Sequence, residues 1–405
     1  MPFVETCRMD QRVQMLSDHA SGNWSVSDLC RRYGVSRDTF YEWRRRRDSG
    51  AEDWFVDRSH APHHCPQRTD AALVATIVDL RRQFPHMGPR KLLAILRRKH
   101  PEGLWPSAST IGELLKQAGL IAPARRRRPP LAQQRPFAAV HAPNDEWAAD
   151  FKGRFRTSDG TRIDPLTLTD GFSRYLLGIA IAPQTIEATM PLFLDAFRRH
   201  GLPSAIRCDN GSPFGSTGAC GLTRLSAWWL KLGIEPHFVH PASPQENGRH
   251  ERMHRTLKAQ TSRPPASNAI EQQARFDAFR DHFNRERPHE ALDQRPPAEL
   301  YTVSTRQMPD RIEDPWYDAD HQVRKVRSSG EIMWHGERIF ISEALVGEVI
   351  GIAELETGDQ IVRFCHYDIG LIDRLRLFRR FAPPREGLRY APQQPDLELS
   401  TIIPV

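Results

Sequence analysis

The stretch "HPASPQENGRHERMHRTLKAQ", residues 240–260, decides how the middle of this chain is read. It holds two glutamates, Glu246 and Glu251. Glu246 stands just before Asn247-Gly248, a turn pair in a loop. From Gly248 onward the pattern is helical. At about 100° per residue, Met253 and Leu257 fall toward a core, while His254, Glu251, Arg255 and Lys258 share another side. Glu251 is therefore projected from a packed helix, with cations following on the same face. A packed helix holds a side chain more tightly than a loop does, so Glu251, not Glu246, is the candidate for a site that demands fixed geometry.

Upstream of that helix the pattern is that of strands. "EWAADFKGRFR", "TRIDPLTLTD" and "RYLLGIAIA" are joined by the turns "SDG" and "GFS", which predicts an antiparallel meander. "TIEATMPLFLDAFRRHGLP" reads as a helix closed by Gly201 and Pro203. "SAIRCDNGSPF" reads as a short buried strand ending at Asp209, followed by the helix "LTRLSAWWLKLG" and the strand "IEPHFVHP". The order βββαβαβα predicts a mixed sheet with helices on both faces and chemistry at strand ends. Asp150 lies mid-strand among Trp147, Ala149 and Phe151, where a charge is costly unless compensated. Asp209 is exposed by the turn Asn210-Gly211. Asp164 and Asp170 are also strand acids, and Asp170, before "GFSRY", reads as a turn cap. Leu225, Trp228 and Trp229 fall at helical spacing and read as packing.

The pieces "WAADFKG", "RCDNGSPF" and "PQENGRHERMHRTLK", in that order, resemble the catalytic core of the DDE transposases and retroviral-type integrases, which have the ribonuclease H-like fold. With "NRERPHEALDQRPPAELY" (284–301) behind them, the resemblance is to the integrase-like insertion-sequence transposases of bacteria. It implies catalytic, metal-holding acids at Asp150, Asp209 and Glu251, with two Mg²⁺ (or Mn²⁺) ions per site. Asp150 would bridge both ions, and Asp209 and Glu251 would hold one each. It further implies Arg255 and Lys258 on the DNA end, and Asn210 and Asn247 shaping the site by hydrogen bonds. Between Asp209 and Glu251, 41 residues intervene, more than in many members of that family. The extra length is assigned to "GSTGACGL" (215–222), read as a flexible loop.

Charge adds a partner. Residues 1–140 hold 24 Lys and Arg against 14 Asp and Glu, so they carry +10 of a chain whose formal net charge is +7. A basic front end on a near-neutral body points to a polyanion. "SVSDLCRRYGVSRDTFYEWRRRRDSG" (25–50) has apolar residues at Leu29, Tyr33, Val35, Phe40 and Trp43, Cys30 where two helices cross, Gly34 at the turn and Ser36 as N-cap. That is helix-turn-helix spacing. Arg37, Thr39 and Tyr41 then face outward toward a major groove, and Arg44, Arg45 and Arg46 toward phosphates.

The expected domains are a helix-turn-helix DNA-binding domain at 1–60 and a second helical (helix-turn-helix or winged) module at 66–122. A basic Pro-rich linker at 123–140 carries Arg125, Arg126, Arg127 and Arg128 against the DNA backbone. The ribonuclease H-like core follows at 141–301, then a small β-barrel at 302–385, with "SSGEIMWHGERIFI" as a hairpin, and a tail at 386–405. In that third unit Arg324, Lys325 and Arg327 are further candidates for DNA contact. The six cysteines are scattered without C-x-x-C, as in a reducing cytosol, and "SHAPHHC" (59–65) lacks the second half of a zinc site. No apolar run approaches the ~20 residues of a membrane helix, and the N-terminus lacks a secretory signal pattern.

The expected function is a transposase that binds the terminal inverted repeats of an insertion sequence and catalyses Mg-dependent strand cleavage and strand transfer, hence DNA integration and recombination. Its partners are double-stranded DNA, at transposon ends and target, and further copies of itself, in a bacterial cytoplasm at the nucleoid. Two alternatives stand beside it: a catalytically idle DNA-binding regulator derived from a transposase, and a plain ribonuclease H-type nuclease.

Overall fold

Serine caps and one left-handed glycine set the first unit. Ser25 and Ser36 accept hydrogen bonds from the backbone N–H of Asp28 and Thr39, starting two helices. The computed structural model describes residues 7–57, 68–121, 140–239, 248–382 and 402–403, side chains excepted at 248, 249, 402 and 403. The chain divides into two units, Met1–Thr69 and Asp70–Val405. The first is built from α1 (Arg8–Ala20), α2 (Val26–Tyr33) and α3 (Arg37–Asp48). Gly34, at φ +62°, makes the turn between α2 and α3, a conformation that costs a residue with Cβ about 1–2 kcal/mol. Met15, Leu16, Leu29, Cys30 and Phe40 form its core, with Val35 and Trp43 packed against it. Cys30, 8% exposed, is part of that core.

The second unit opens with α4 (Ala71–Gln83), α5 (Pro89–Lys99) and α6 (Ala108–Gln117), with Pro89 in the first turn of α5 and Ser107 capping α6. Ile77, Leu92, Ile95, Ile111 and Leu115 close its core. The five-stranded sheet follows. It takes β1 (Glu146–Phe151), then, beyond a small hairpin of β2 (Phe155–Arg156) and β3 (Arg162–Ile163), β4 (Pro165–Asp170) and β5 (Leu176–Ile181). After α7 (Ile186–His200) comes β6 (Ala205–Cys208), and after α8 (Arg224–Lys231) comes β7 (Glu235–Phe238). The order is β5-β4-β1-β6-β7, antiparallel on the β4–β5 side and parallel on the β6–β7 side. This is the mixed sheet that the order of elements implied.

Strand alternation sorts the two faces. Trp147, Ala149, Ile206 and Cys208 pack with α7 and α8, where Phe193, Phe197, Leu225 and Trp229 are buried. Two helices follow β7 in the chain, α9 (Gly248–Thr261) and α10 (Ala269–Arg285). Met253 and Leu257 of α9 join Leu176, Ile179, Phe276, Phe279 and Phe283 on the opposite face. Asp150 alternates with Ala149, so it points to the α9 side. Trp229 and Leu225 are core residues, as read.

Two expectations change. The stretch 215–222 is not a free loop: Ala219, Cys220 and Leu222 are 1–2% exposed and belong to the apolar core of the C-terminal sheet. Three apolar side chains in eight residues gave enough surface to bury, and glycine let the chain turn. The C-terminal segment, in turn, does not close into a barrel among the described residues. It has β8 (Gln322–Lys325), a hairpin of β9 (Glu331–Trp334) and β10 (Glu337–Phe340), and β11 (Val349–Glu354), β12 (Gln360–Phe364), β13 (Tyr367–Ile372), β14 (Phe378–Phe381) and β15 (Ile402–Ile403). Six strands run β15-β14-β13-β12-β11-β8 with two unpaired ends, and the β9–β10 hairpin forms its own two-stranded sheet. The hairpin itself is as read: His335 and Gly336, both at positive φ, make its turn.

Two half-buried histidines give this unit an acid limit. His200 ends α7 edge-on to the stacked rings of Tyr175 and Tyr301 and is pushed down to about 4; His289 lies against Phe283 and is pushed down to about 3. Burial is the main cause in each. A folded-state value below the unfolded one, about 6.5, gives stability that is present above pH 6.5 and lost as pH falls below it. Each is expected to cost about 2 kcal/mol between pH 7 and pH 5. Urea unfolding at the two pH values checks this: the loss should be about 3–4 kcal/mol smaller in His200→Gln/His289→Gln than in the parent. Equal losses in the two proteins contradict it.

Candidate active site

β1 and β6 run parallel with Ala148 paired to Arg207. Asp150 and Asp209 each stand two residues beyond that pair, so they lie level in register, at the same end of neighbouring strands. Asp150 is held by its strand, with its side chain 18% exposed. Asp209 follows the last residue of β6 and is exposed overall, yet desolvation pushes its carboxyl above the usual range against one hydrogen bond from the Gly211 backbone. Asn210 donates from Nδ2 to the Val239 carbonyl at 2.5 Å, tying the ends of β6 and β7 together.

The third acid arrives on α9, and threonine sets that helix. Thr167 is the β4 partner of Asp150. Its hydroxyl donates to the Asp150 carbonyl at 3.0 Å and lies 2.7 Å from His250 Nε2 and 2.8 Å from His254 Nε2. A hydroxyl has one proton and two lone pairs. One assignment satisfies all three contacts: both imidazoles donate from Nε2. Both are then neutral, in accord with burial lowering His250 to about 3 and His254 to about 2. His254 Nδ1 is left as an acceptor 3.8 Å from Asp150 Oδ2.

Glu251 sits in the first turn of α9, one residue from His250, and is exposed. Among the described residues no group of three His, Cys, Asp or Glu side chains is placed to hold an ion. The structure thus brings Asp150 and Asp209 level and sets Glu251 on the adjoining helix, outside that pair. His254 departs from the helical-wheel reading. It turns inward with Met253 and Leu257 rather than outward with Glu251, because Thr167 offers its ring a buried hydrogen bond. Arg255 and Lys258 are exposed. Glu246, Asn247 and Arg125 to Arg128 lie outside the described residues, as does the His60–Cys65 cluster.

Replacing Thr167 by Val keeps the shape and removes the hydroxyl. It is expected to cost about 1–3 kcal/mol, because two buried imidazole N–H groups lose their acceptor. Thr167→Ser should restore most of the loss. Urea unfolding of the two variants checks this, and a Val variant as stable as the parent contradicts it.

Beneath the two acids lies a charged cluster that sequence reasoning missed. Glu146 on β1 accepts from Arg207 on β6 at 3.0 and 3.1 Å and contacts His237 Nδ1 on β7 at 2.7 Å. Glu146 and Arg207 side chains are 4% and 3% exposed. The signal was present: Glu146 and Asp150, and Arg207 and Asp209, share strand faces at even spacing. Asp170 is the turn cap it was read as, with Oδ1 accepting from Asn144 N and Oδ2 from Ser173 N and Oγ. Asp164 pairs with Arg162 at 2.6 Å.

On α3, Arg37, Tyr41, Arg44 and Arg45 are exposed. Arg37 donates to Ser27 Oγ at 2.8 Å and Arg44 pairs with Asp48 at 3.6 Å, and two other candidates are engaged as well. Thr39 Oγ1 is 2.8 Å from the capping Ser36 Oγ, and the Arg46 guanidinium pairs with Glu42 one turn back.

Family comparisons bear on these elements. The integrase core domain matches residues 140–244 and, in a second model of that description, 232–297. A helix-turn-helix domain matches 11–63 and a homeodomain-like domain 39–115. A 39.2 kDa protein of insertion element IS476 from Xanthomonas euvesicatoria is 29% identical, over 67% of this chain and 70% of its own length. Transposase InsD of insertion element IS2 from Escherichia coli is 27% identical, over 68% of this chain and 90% of its own length. The chain belongs to the DDE transposase and integrase superfamily. Solved integrases align with this superfamily member only loosely. A simian T-cell lymphotropic virus intasome chain has a TM-score of 0.36 at 17% identity, over 76% of this chain and all of that one. The HTLV-2 integrase catalytic core in complex with magnesium has a TM-score of 0.32 at 16% identity, over 40% of this chain and 98% of that one. No helix among the described residues is long and apolar enough to cross a membrane.

Proposed function

We propose that this superfamily member is a transposase that binds the terminal inverted repeats of its element and cuts and joins DNA there with Mg²⁺ or Mn²⁺. The observation that carries this is the level placement of Asp150 and Asp209 on neighbouring strands, with the helix of Glu251 anchored beside them through Thr167. The donor set fits hard divalent cations: carboxylate oxygens, that of Asp209 raised by desolvation and that of Asp150 largely shielded on its strand. When bound, a pair of such ions would supply an activated water or 3′-hydroxyl and stabilise the leaving oxygen. The chain's part is to hold Asp150 and Asp209 on stiff strand ends and to bring Glu251 in from α9 when a duplex binds. Arg255 and Lys258, later on that helix, would hold the DNA end. Arg37, Tyr41, Arg44 and Arg45 of α3 would read and grip a duplex, and two ends call for at least two copies of the chain.

The test uses the full chain and duplexes ending in the inverted repeats that flank its gene. Nicked and joined products are expected with Mg²⁺ or Mn²⁺ and none with EDTA, from a multimer on paired ends. End binding without cutting under every ion would make the protein a regulator. Cutting of RNA–DNA hybrids with no preference for ends would make it a nuclease.

A further inference from the structure

Thr167 holds two imidazoles of α9, and it leaves them in different states. His250 uses both ring nitrogens: Nε2 lies 2.7 Å from the Thr167 hydroxyl and Nδ1 3.3 Å from the Thr169 hydroxyl. His254, 9% exposed, uses one. Its Nε2 lies 2.8 Å from Thr167 Oγ1, and among the described residues its Nδ1 makes no hydrogen bond. The Thr167 hydroxyl spends its proton on the Asp150 carbonyl, so Nε2 of His254 is the donor and the ring's lone pair lies on Nδ1, 3.8 Å from Asp150 Oδ2. One ion with bonds of about 2.0–2.2 Å to nitrogen and oxygen reaches donors up to about 4.2 Å apart, so both atoms are within its span. The other nitrogen is held as ligating histidines hold theirs, by a hydrogen bond that fixes the tautomer and the ring plane. The sequence carries a matching signal: Glu251 and His254 stand at Glu-x-x-His spacing, by which one helix supplies a carboxylate and an imidazole to a metal site.

We propose that His254 is a nitrogen ligand, through Nδ1, of the divalent ion at Asp150, and that it biases the site toward Mn²⁺ over Mg²⁺. The ion class follows from the donors. Mg²⁺ is a hard cation that takes oxygen, whereas imidazole nitrogen suits first-row transition ions. A buried imidazole beside Asp150 therefore adds a preference that three carboxylates lack. Thr167 acts through His254 as a positioning residue, turning the ring so that Nδ1 faces the carboxylate. His250 has no such role, since both of its nitrogens are engaged. The inference rests on the proposed function for there being an ion at Asp150, and goes beyond it in naming a further side chain on that ion.

The probe is Mn²⁺ alone, added to the untagged full chain. Spin-echo EPR of the bound ion is expected to show coupling to a directly bonded nitrogen in the parent and none in His254→Gln. Glutamine keeps an N–H in the place of Nε2 and so still donates to Thr167, but it brings no nitrogen lone pair. His254→Gln should unfold near the parent's urea midpoint, while its Mn²⁺ affinity falls at least about tenfold and its Mg²⁺ affinity changes by less than about threefold. A purely structural role for His254 moves neither the coupling nor the ratio of the two affinities. Parent protein that binds no Mn²⁺, or binds it without nitrogen coupling, would overturn the proposal, and this result does not depend on the variant folding. The same coupling in His254→Gln, or an unchanged affinity ratio, would overturn it as well. If the parent cuts no DNA yet shows the coupling, the ligand stands and the transposase reading falls. If the parent cuts with Mn²⁺ and the coupling is absent, the reverse holds.

Discussion

Asp209→Asn is expected to lower cleavage and joining at element ends by at least about 10³-fold, or about 4 kcal/mol of barrier, with end binding within about twofold of the parent. Asparagine keeps the size and the backbone turn at Asn210-Gly211 but removes the charge that burial already holds at a cost. The α3 face stands in another unit, so the substitution leaves it unchanged. Glu251→Gln should behave in the same way, and Glu246→Gln should cut like the parent. Single-turnover cleavage of labelled ends, with gel shifts on the same duplexes, gives the two readouts. Parent-like cutting by Asp209→Asn removes that acid from the chemistry. A loss at Glu246 in place of Glu251 reassigns the third acid to the loop.

Arg207→Met should have the largest effect on stability. It leaves the Glu146 carboxylate, 4% exposed, with only the His237 ring. Breaking a buried ion pair from one side costs about 3–5 kcal/mol, mostly because the remaining charge stays desolvated. Removing both charges, as in Glu146→Leu/Arg207→Met, should recover at least half of that loss. His237 adds a pH signature. Although burial opposes it, the hydrogen bonds that the ring donates to Glu146 and Glu235 hold it up at about 9. A folded value above the unfolded 6.5 contributes stability that is full below pH 6.5 and lost as pH rises toward 9. The parent should therefore weaken across that window, and Glu146→Leu/Arg207→Met, which keeps only the Glu235 contact of His237, should weaken less. Urea unfolding at pH 6.5 and pH 9 measures both; a single variant within about 1 kcal/mol of the parent contradicts the account.

Much of the central fold was legible because its signals are local. Strand alternation around Trp147 and Ala149, the helix ended by Gly201, and the short strand running into Asp209 depend on a few neighbours each. The serine caps and Gly34 fixed the first unit in the same way. The loop at 215–222 and the open C-terminal sheet were misread for the opposite reason. Whether Ala219, Cys220 and Leu222 are exposed depends on an apolar face more than a hundred residues away. Closure of a sheet depends on whether its first and last strands meet, which no run of residues encodes.

The site divides on the same line. By itself the sequence determined which acids to consider, that Asp150 and Asp209 end up on strands and Glu251 on a helix, and that the front end is basic. Only the tertiary structure decided that the two aspartates are level in register, that His250 and His254 turn inward onto Thr167, that Glu146, Arg207 and His237 form a buried charge cluster below them, and that Arg90 of α5 pairs with Glu290 of the core. Periodicity specifies which way a side chain points from its own element. What it meets there is set by the packing of elements distant in sequence, where desolvation and hydrogen bonding choose the partner.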